Sequence, residues 1–200
     1  LFYSAGPDTE RWLKAEGKQV FLDLKIHDIP NTAAQAVRAL TGLGADLMTL
    51  HGSGGHAMLN AAAEAVADEA ERLSVIRPKL LAVTVLTSID ADEWQKLGHT
   101  NSISQSVLTM AAAAKAAGMD GTVSSPHEAA EIRRLNGPDF LIVTPGIRPS
   151  FAQSDDQKRV TTPKEAVQNG ATHLVIGRPI TKAADPQEAA RAIVEEIREV

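Results

Sequence analysis

The stretch QVFLDLKIHDIPNT, Gln19 to Thr32, opens as a strand and closes as the start of a helix. Val20, Phe21 and Leu22 form the short β-branched and aromatic run of a buried strand, yet charge follows at Asp23, Lys25 and Asp28. Side chains alternate along a strand, so Asp23 and Lys25 are expected on one side, carboxylate beside ammonium. Pro30 ends the strand and stands where a helix can begin, ahead of the alanine-rich run Ala33 to Leu40, which leaves Asp28 on the intervening turn. D-x-K-x-x-D therefore falls at a strand exit, where α/β proteins place their chemistry. The plainer reading is a structural ion pair at a strand end.

Outward from this segment, strand and helix alternate. Pro7 to Glu16 reads as a helix stopped by Gly17, and Asn31 to Leu43 as one stopped by Gly44. Strands are predicted at Asp46 to Leu50, Leu80 to Leu86, Met119 to Val123, Phe140 to Val143 and His173 to Ile176. Helices are predicted at Ala57 to Leu73, Asp90 to Leu97, Ile103 to Ala117, Pro126 to Leu135, Pro163 to Asn169 and Pro186 to Glu199. Apolar strands each followed by a helix predict a parallel sheet covered by helices, in a single domain spanning residues 1–200. Periodicity leaves a β/α barrel and a doubly wound sheet open, but no G-x-G-x-x-G follows any strand, which disfavours the dinucleotide-binding form. A barrel needs eight strands, so two are expected ahead of Leu1.

Composition narrows the function. The 200 residues are 44% hydrophobic, enough for a full core, and a net charge of −5 argues against a nucleic-acid partner. With no cysteine there is no disulfide and no thiolate metal site, which fits a reducing cytoplasm. No run of about 18 apolar residues supports a membrane partner.

Two late loops suggest a phosphate. Thr144-Pro145-Gly146-Ile147-Arg148-Pro149 leaves one strand and Gly177-Arg178-Pro179 the next, and barrel loops after the last two strands often bind phosphate through backbone N–H groups and arginine. Gly177 would allow close backbone approach and Arg178 would add charge. The polar segment from Pro149 to Val160 is a candidate lid, with Arg148 and Gln157 as its hands. Both turns also read as plain strand exits with exposed arginines. His51-Gly52-Ser53-Gly54-Gly55 resembles a phosphate cradle but lacks a lysine, so it reads as a tight turn with a structural His51. His27 could be a ligand or base, but no second histidine stands at helical spacing from it, so no metal site is predicted. Thr87 and Ser88 end an apolar strand and could hydrogen-bond a ligand.

The string DLKIHDIPNT from Asp23 to Thr32, with VTPGIRP from Val143 to Pro149 and IGRP from Ile176 to Pro179, closely resembles the bacterial orotidine 5'-phosphate decarboxylases. The resemblance covers essentially the whole chain, including Leu86-Thr87-Ser88 and the His51 turn. It implies a TIM (β/α)8 barrel and a homodimer with shared active sites. It also implies loss of CO2 from orotidine monophosphate to give uridine monophosphate in de novo pyrimidine synthesis, without metal or cofactor. Lys25 would be the proton donor, Asp23 would fix it, and Asp28, Ile29 and Thr32 would reach into the neighbouring subunit's site. Thr87 would line the nucleotide pocket, Ser88 would read the pyrimidine, and Arg148, Gln157, Gly177 and Arg178 would hold the phosphate. The family also carries a ribose-binding aspartate on a first strand, and on a second a lysine that completes a Lys-Asp-Lys-Asp array. Both are expected on the strands ahead of Leu1. Two rivals remain open: a magnesium-dependent sugar-phosphate decarboxylase of the same superfamily, which shares D-x-K-x-x-D but not the Ile29-Pro30-Asn31-Thr32 continuation, and a non-catalytic phosphate-binding barrel.

Overall fold

The computed structural model describes residues 2–149 and 161–198. It divides into two compact units, Leu1–Val83 with Ala113–Gly121, and Thr84–Ala112 with Thr122–Val200. In the first unit α1 (Phe2–Ala5) and α2 (Asp8–Ala15) precede β1 (Phe21–Ile26), α3 (Pro30–Thr41), β2 (Leu47–His51), a 3-10 turn at Gly52–Gly54, α4 (Gly55–Leu73) and β3 (Lys79–Val83). The second begins with α5 (Ala91–Lys96), and α6 (Ile103–Ala116) and β4 (Gly121–Val123) each contain residues of both units. They are followed by a 3-10 turn at Pro126–Glu128, α7 (Ala129–Asn136), β5 (Leu141–Thr144), α8 (Pro163–Gln168), β6 (His173–Leu174), α9 (Arg178–Thr181) and α10 (Pro186–Arg198). The six strands follow chain order in the sheet, and β1–β2, β2–β3 and β5–β6 pair in parallel. This is the predicted α/β alternation. Among the described residues no helix is long and apolar enough to cross a membrane.

Local chemistry explains the elements. Pro30 at the first turn of α3 has no N–H to leave unbonded, and Ile29 before it is extended at φ −60°, ψ 154°, as a residue preceding proline must be. Ser74 ends α4 in the left-handed conformation, returning its N–H to the last turn. The first core buries Leu22, Met48, Leu50, Met58, Leu59 and Leu80, each contributing about 1.5–3 kcal/mol by leaving water. The second unit has its own clusters, one of Val85, Trp94, Val107, Ile132 and Ile142 and another around Ile147 and Ala166.

Several boundaries differ from the prediction. Helix α3 ends at Thr41, before Gly44, although Gly44 still marks the exit with φ +90°. The apolar run Leu80 to Leu86 outlasts its strand: β3 ends at Val83, and Leu86 opens a turn whose carbonyl accepts the Ile89 N–H, leaving Leu86 exposed. Hydrophobicity alone did not show where pairing stops. Helix α4 starts at Gly55 rather than Ala57, and Arg178 and Pro179 begin the four-residue helix α9, with Gly177 as its cap, rather than lying in a loop.

The strand starts are stitched in pairs. Asp46, just before β2, accepts the Val20 N–H at 2.6 Å; Asp120, just before β4, accepts the Leu80 N–H at 2.8 Å; Thr172, just before β6, accepts the Ile142 N–H at 2.9 Å. Lys14 binds Asp46 at 2.8 Å, and Arg77 binds Asp120 at 2.7 Å. Burial pushes the Asp46 pKa up, but the hydrogen bonds from Lys14 and Val20 and the lysine charge outweigh it and hold the carboxyl below its ordinary value.

Candidate active site

Lys25 and Asp23 meet in an ion pair, Nζ to Oδ2 at 2.6 Å, but not through the simple alternation predicted. In the β1–β2 register Leu22 faces Met48 and Ile26 faces Leu50, so Asp23, Leu24 and Lys25 lie across from the single residue Thr49. Such a bulge re-aims side chains and leaves backbone groups unpaired. Lys25 takes up the slack at φ +53°, in the left-handed region that a side-chain-bearing residue rarely enters. The Thr49 hydroxyl closes the gap, accepting the Lys25 N–H at 2.9 Å and donating to Asp23 Oδ1 at 2.9 Å. The sequence reading passed over Thr49; its signal was a lone hydroxyl within the apolar strand that pairs with D-x-K.

Two histidines adjoin the pair. His27 and His51 stack with centroids 5.1 Å apart and planes at 23°, and His51 Nδ1 lies 2.9 Å from Ser53 Oγ. Burial, with the His27 and Lys25 charges added, holds the His51 pKa below its ordinary value and favours the neutral ring. His51 is half-buried, and its stacking on His27 had no sequence signature. Asp28, Ile29 and Thr32 are all exposed, with Ile29 67% accessible despite being apolar. Asp28 Oδ1 accepts the Ile29 N–H at 2.7 Å, so its carboxylate braces the turn.

In the second unit Thr87 is buried and Ser88 exposed. Arg148 donates from Nη1 to its own neighbour's carbonyl, Ile147 O, at 2.9 Å, while its buried Nη2 has no hydrogen-bond partner among the described residues. A buried guanidinium donor without an acceptor is costly, and an anionic ligand is the natural remedy. The Arg148 N–H donates to Thr161 O at 2.9 Å and the Thr161 N–H to Gly146 O at 3.2 Å, joining the chain on either side of residues 150–160. Gln157 lies outside the described residues. Gly177 caps α9 and Arg178 is its first residue; a Cβ at Gly177 would meet nothing within 4 Å, so the approach to that backbone is open.

A model described as the orotidine 5'-phosphate decarboxylase / HUMPS family matches residues 1–193. The chain belongs to this family. It is 54% identical over 197 residues to the orotidine 5'-phosphate decarboxylase of Trichlorobacter lovleyi, covering 98% of this chain and 81% of that protein. With the Moorella thermoacetica enzyme of the same name it shares 51% over 201 residues, covering 100% of this chain and 80% of the other. The crystal structure of orotidine 5'-phosphate decarboxylase from Lactobacillus acidophilus superposes with a TM-score of 0.86 at 41% identity, over 98% of this chain and 83% of that one. The Pyrococcus horikoshii structure of the same name gives 0.74 at 28% identity, over 100% and 84%.

Proposed function

We propose that the protein decarboxylates orotidine 5'-monophosphate to uridine 5'-monophosphate, with Lys25 as proton donor, and that its strands belong to a (β/α)8 barrel. The observation that carries this reading is the Lys25–Asp23 pair, fastened at a bulge in a chain of this family. When the bond from C6 to the carboxylate breaks, CO2 leaves and its electron pair stays on C6. The ring cannot delocalise that pair well, so an ammonium beside it stabilises the developing charge. A unit charge about 4 Å away is worth roughly 4 kcal/mol at an effective dielectric of about 20, so Lys25 supplies part of the barrier reduction and binding of remote groups the rest. A proton then passes from Nζ to C6, and solvent restores it to the amine. Asp23 holds the ammonium in place and faces the carboxylate that departs.

The substrate phosphate is the proposed acceptor for the orphan donor of Arg148, with Arg178, Gly177 and Gln157 completing its site and Thr87 lining the base pocket. Exposed Asp28, Ile29 and Thr32 are proposed to enter the partner's site in a cytoplasmic homodimer. The test is the fall in ultraviolet absorbance as orotidine monophosphate is consumed. Turnover by the wild type, unaffected by a chelator and lowered by at least about 10²–10⁴-fold in Lys25→Ala, is the expected result. Nucleotide binding without turnover would instead support a non-catalytic barrel, and turnover lost to the chelator a metal-dependent relative.

A further inference from the structure

We propose that Thr49 is a positioning residue for decarboxylation, its hydroxyl setting the place of the Lys25 ammonium through the backbone bulge; this rests on the decarboxylase reading above. The direction of both hydrogen bonds is fixed by chemistry. The Lys25 amide can only donate and the Asp23 carboxylate can only accept, so the hydroxyl takes one bond and gives the other. That occupies Asp23 Oδ1 and leaves Oδ2 for the Lys25 ammonium at 2.6 Å. Lys25 is therefore held twice, at its backbone by the Thr49 hydroxyl and at its tip by a carboxylate that the same hydroxyl orients. Thr49 is wholly buried, so it touches no substrate and can act only through the pair. The parallel ladder cannot do this work, because three residues of β1 oppose one of β2 and the Lys25 N–H turns to the hydroxyl instead. The Lys25 N–H, displaced from the ladder at φ +53°, meets the hydroxyl in place of a strand carbonyl.

The test uses the whole enzyme with Thr49→Val, which keeps the β-branched shape and removes the hydroxyl, and Thr49→Ser, which keeps the hydroxyl. We expect Thr49→Val to lower kcat by about 10–100-fold, the scale of a misplaced catalytic group, while KM for orotidine monophosphate stays within about threefold. Thr49→Ser should recover most of the loss. If Thr49→Val does not fold by circular dichroism, Thr49→Ala takes its place in the same comparison with Thr49→Ser. A kcat within about threefold of wild type in the hydroxyl-free variant, a change confined to KM, or a serine variant no better than it would each overturn the proposal. An inactive wild type would overturn the decarboxylase reading itself, so the two failures are distinguishable.

Discussion

Replacing Lys25 by glycine and, separately, by alanine should give two inactive proteins with an unusual order of stability. Both variants lack the ammonium, so loss of the 2.6 Å ion pair cancels between them and the backbone at position 25 remains. At an ordinary strand position glycine is less stable than alanine by roughly 0.5–1 kcal/mol, because the unfolded chain gains freedom. Lys25 stands at φ +53°, where a residue with a Cβ carries a cost of roughly 1–2 kcal/mol that glycine escapes. The difference predicts Lys25→Gly to be the more stable by about 0.5–1 kcal/mol, or about 1–4 °C in Tm for a domain of this size. Urea denaturation at pH 7 measures this, with equal m-values confirming that the two transitions are comparable. A glycine variant equal to or less stable than the alanine variant would refute the claim that this backbone is strained.

Other outcomes follow from the same geometry. A Cβ at Gly54 would run into the Cε and Sδ end of the buried Met58 side chain, which must swing aside, so Gly54→Ala should cost about 1 kcal/mol or less by thermal melt and be less than additive with Met58→Ala. Burial raises the Glu10 pKa, with Lys14 and Arg11 opposing it and Asp46 adding to the effect; both buried carboxylate oxygens lack hydrogen-bond partners among the described residues. The folded state thus binds the proton more tightly than the unfolded one, and the cost appears as pH rises above 4.5, so Glu10→Gln should raise Tm more at pH 8 than at pH 4.5. His51 is shifted the other way: its depressed pKa means the unfolded state binds more protons, so stability present above pH 6.5 declines below it, and His51→Asn should flatten that decline in pH-dependent melts. Arg148→Ala and Arg178→Ala should each raise KM for orotidine monophosphate by about 10–100-fold, as loss of a charged hydrogen bond to phosphate requires, and steady-state kinetics would show it.

The alternation of elements was legible because apolar runs and glycine or proline stops are local signals, and so was the pairing of Asp23 with Lys25. Its cause was not. A two-residue spacing predicts neighbours on one face, but the structure reaches the same contact through a bulge, which depends on the register against β2 and on Thr49, 24 residues further on. The His27–His51 stack was hidden for the same reason, since no pattern within one strand reports what the next strand brings beside it. The two arginines proposed for phosphate stood out as Gly-Arg-Pro and Gly-Ile-Arg-Pro, while the orphan donor on Arg148 emerges only when burial is known.

Asp46, Asp120 and Thr172 give the sheet a rhythm of two: each ties an amide at or just before the start of one strand to the residue that introduces the next, joining β1 to β2, β3 to β4 and β5 to β6. All three knots lie where strands begin, whereas Lys25, Thr87 and Arg178 lie at or beyond strand ends. Robustness and the proposed chemistry are therefore written at opposite termini of the strands. Selection or an engineer can tighten or slacken the first without rewriting the second, and can do so one parallel strand pair at a time.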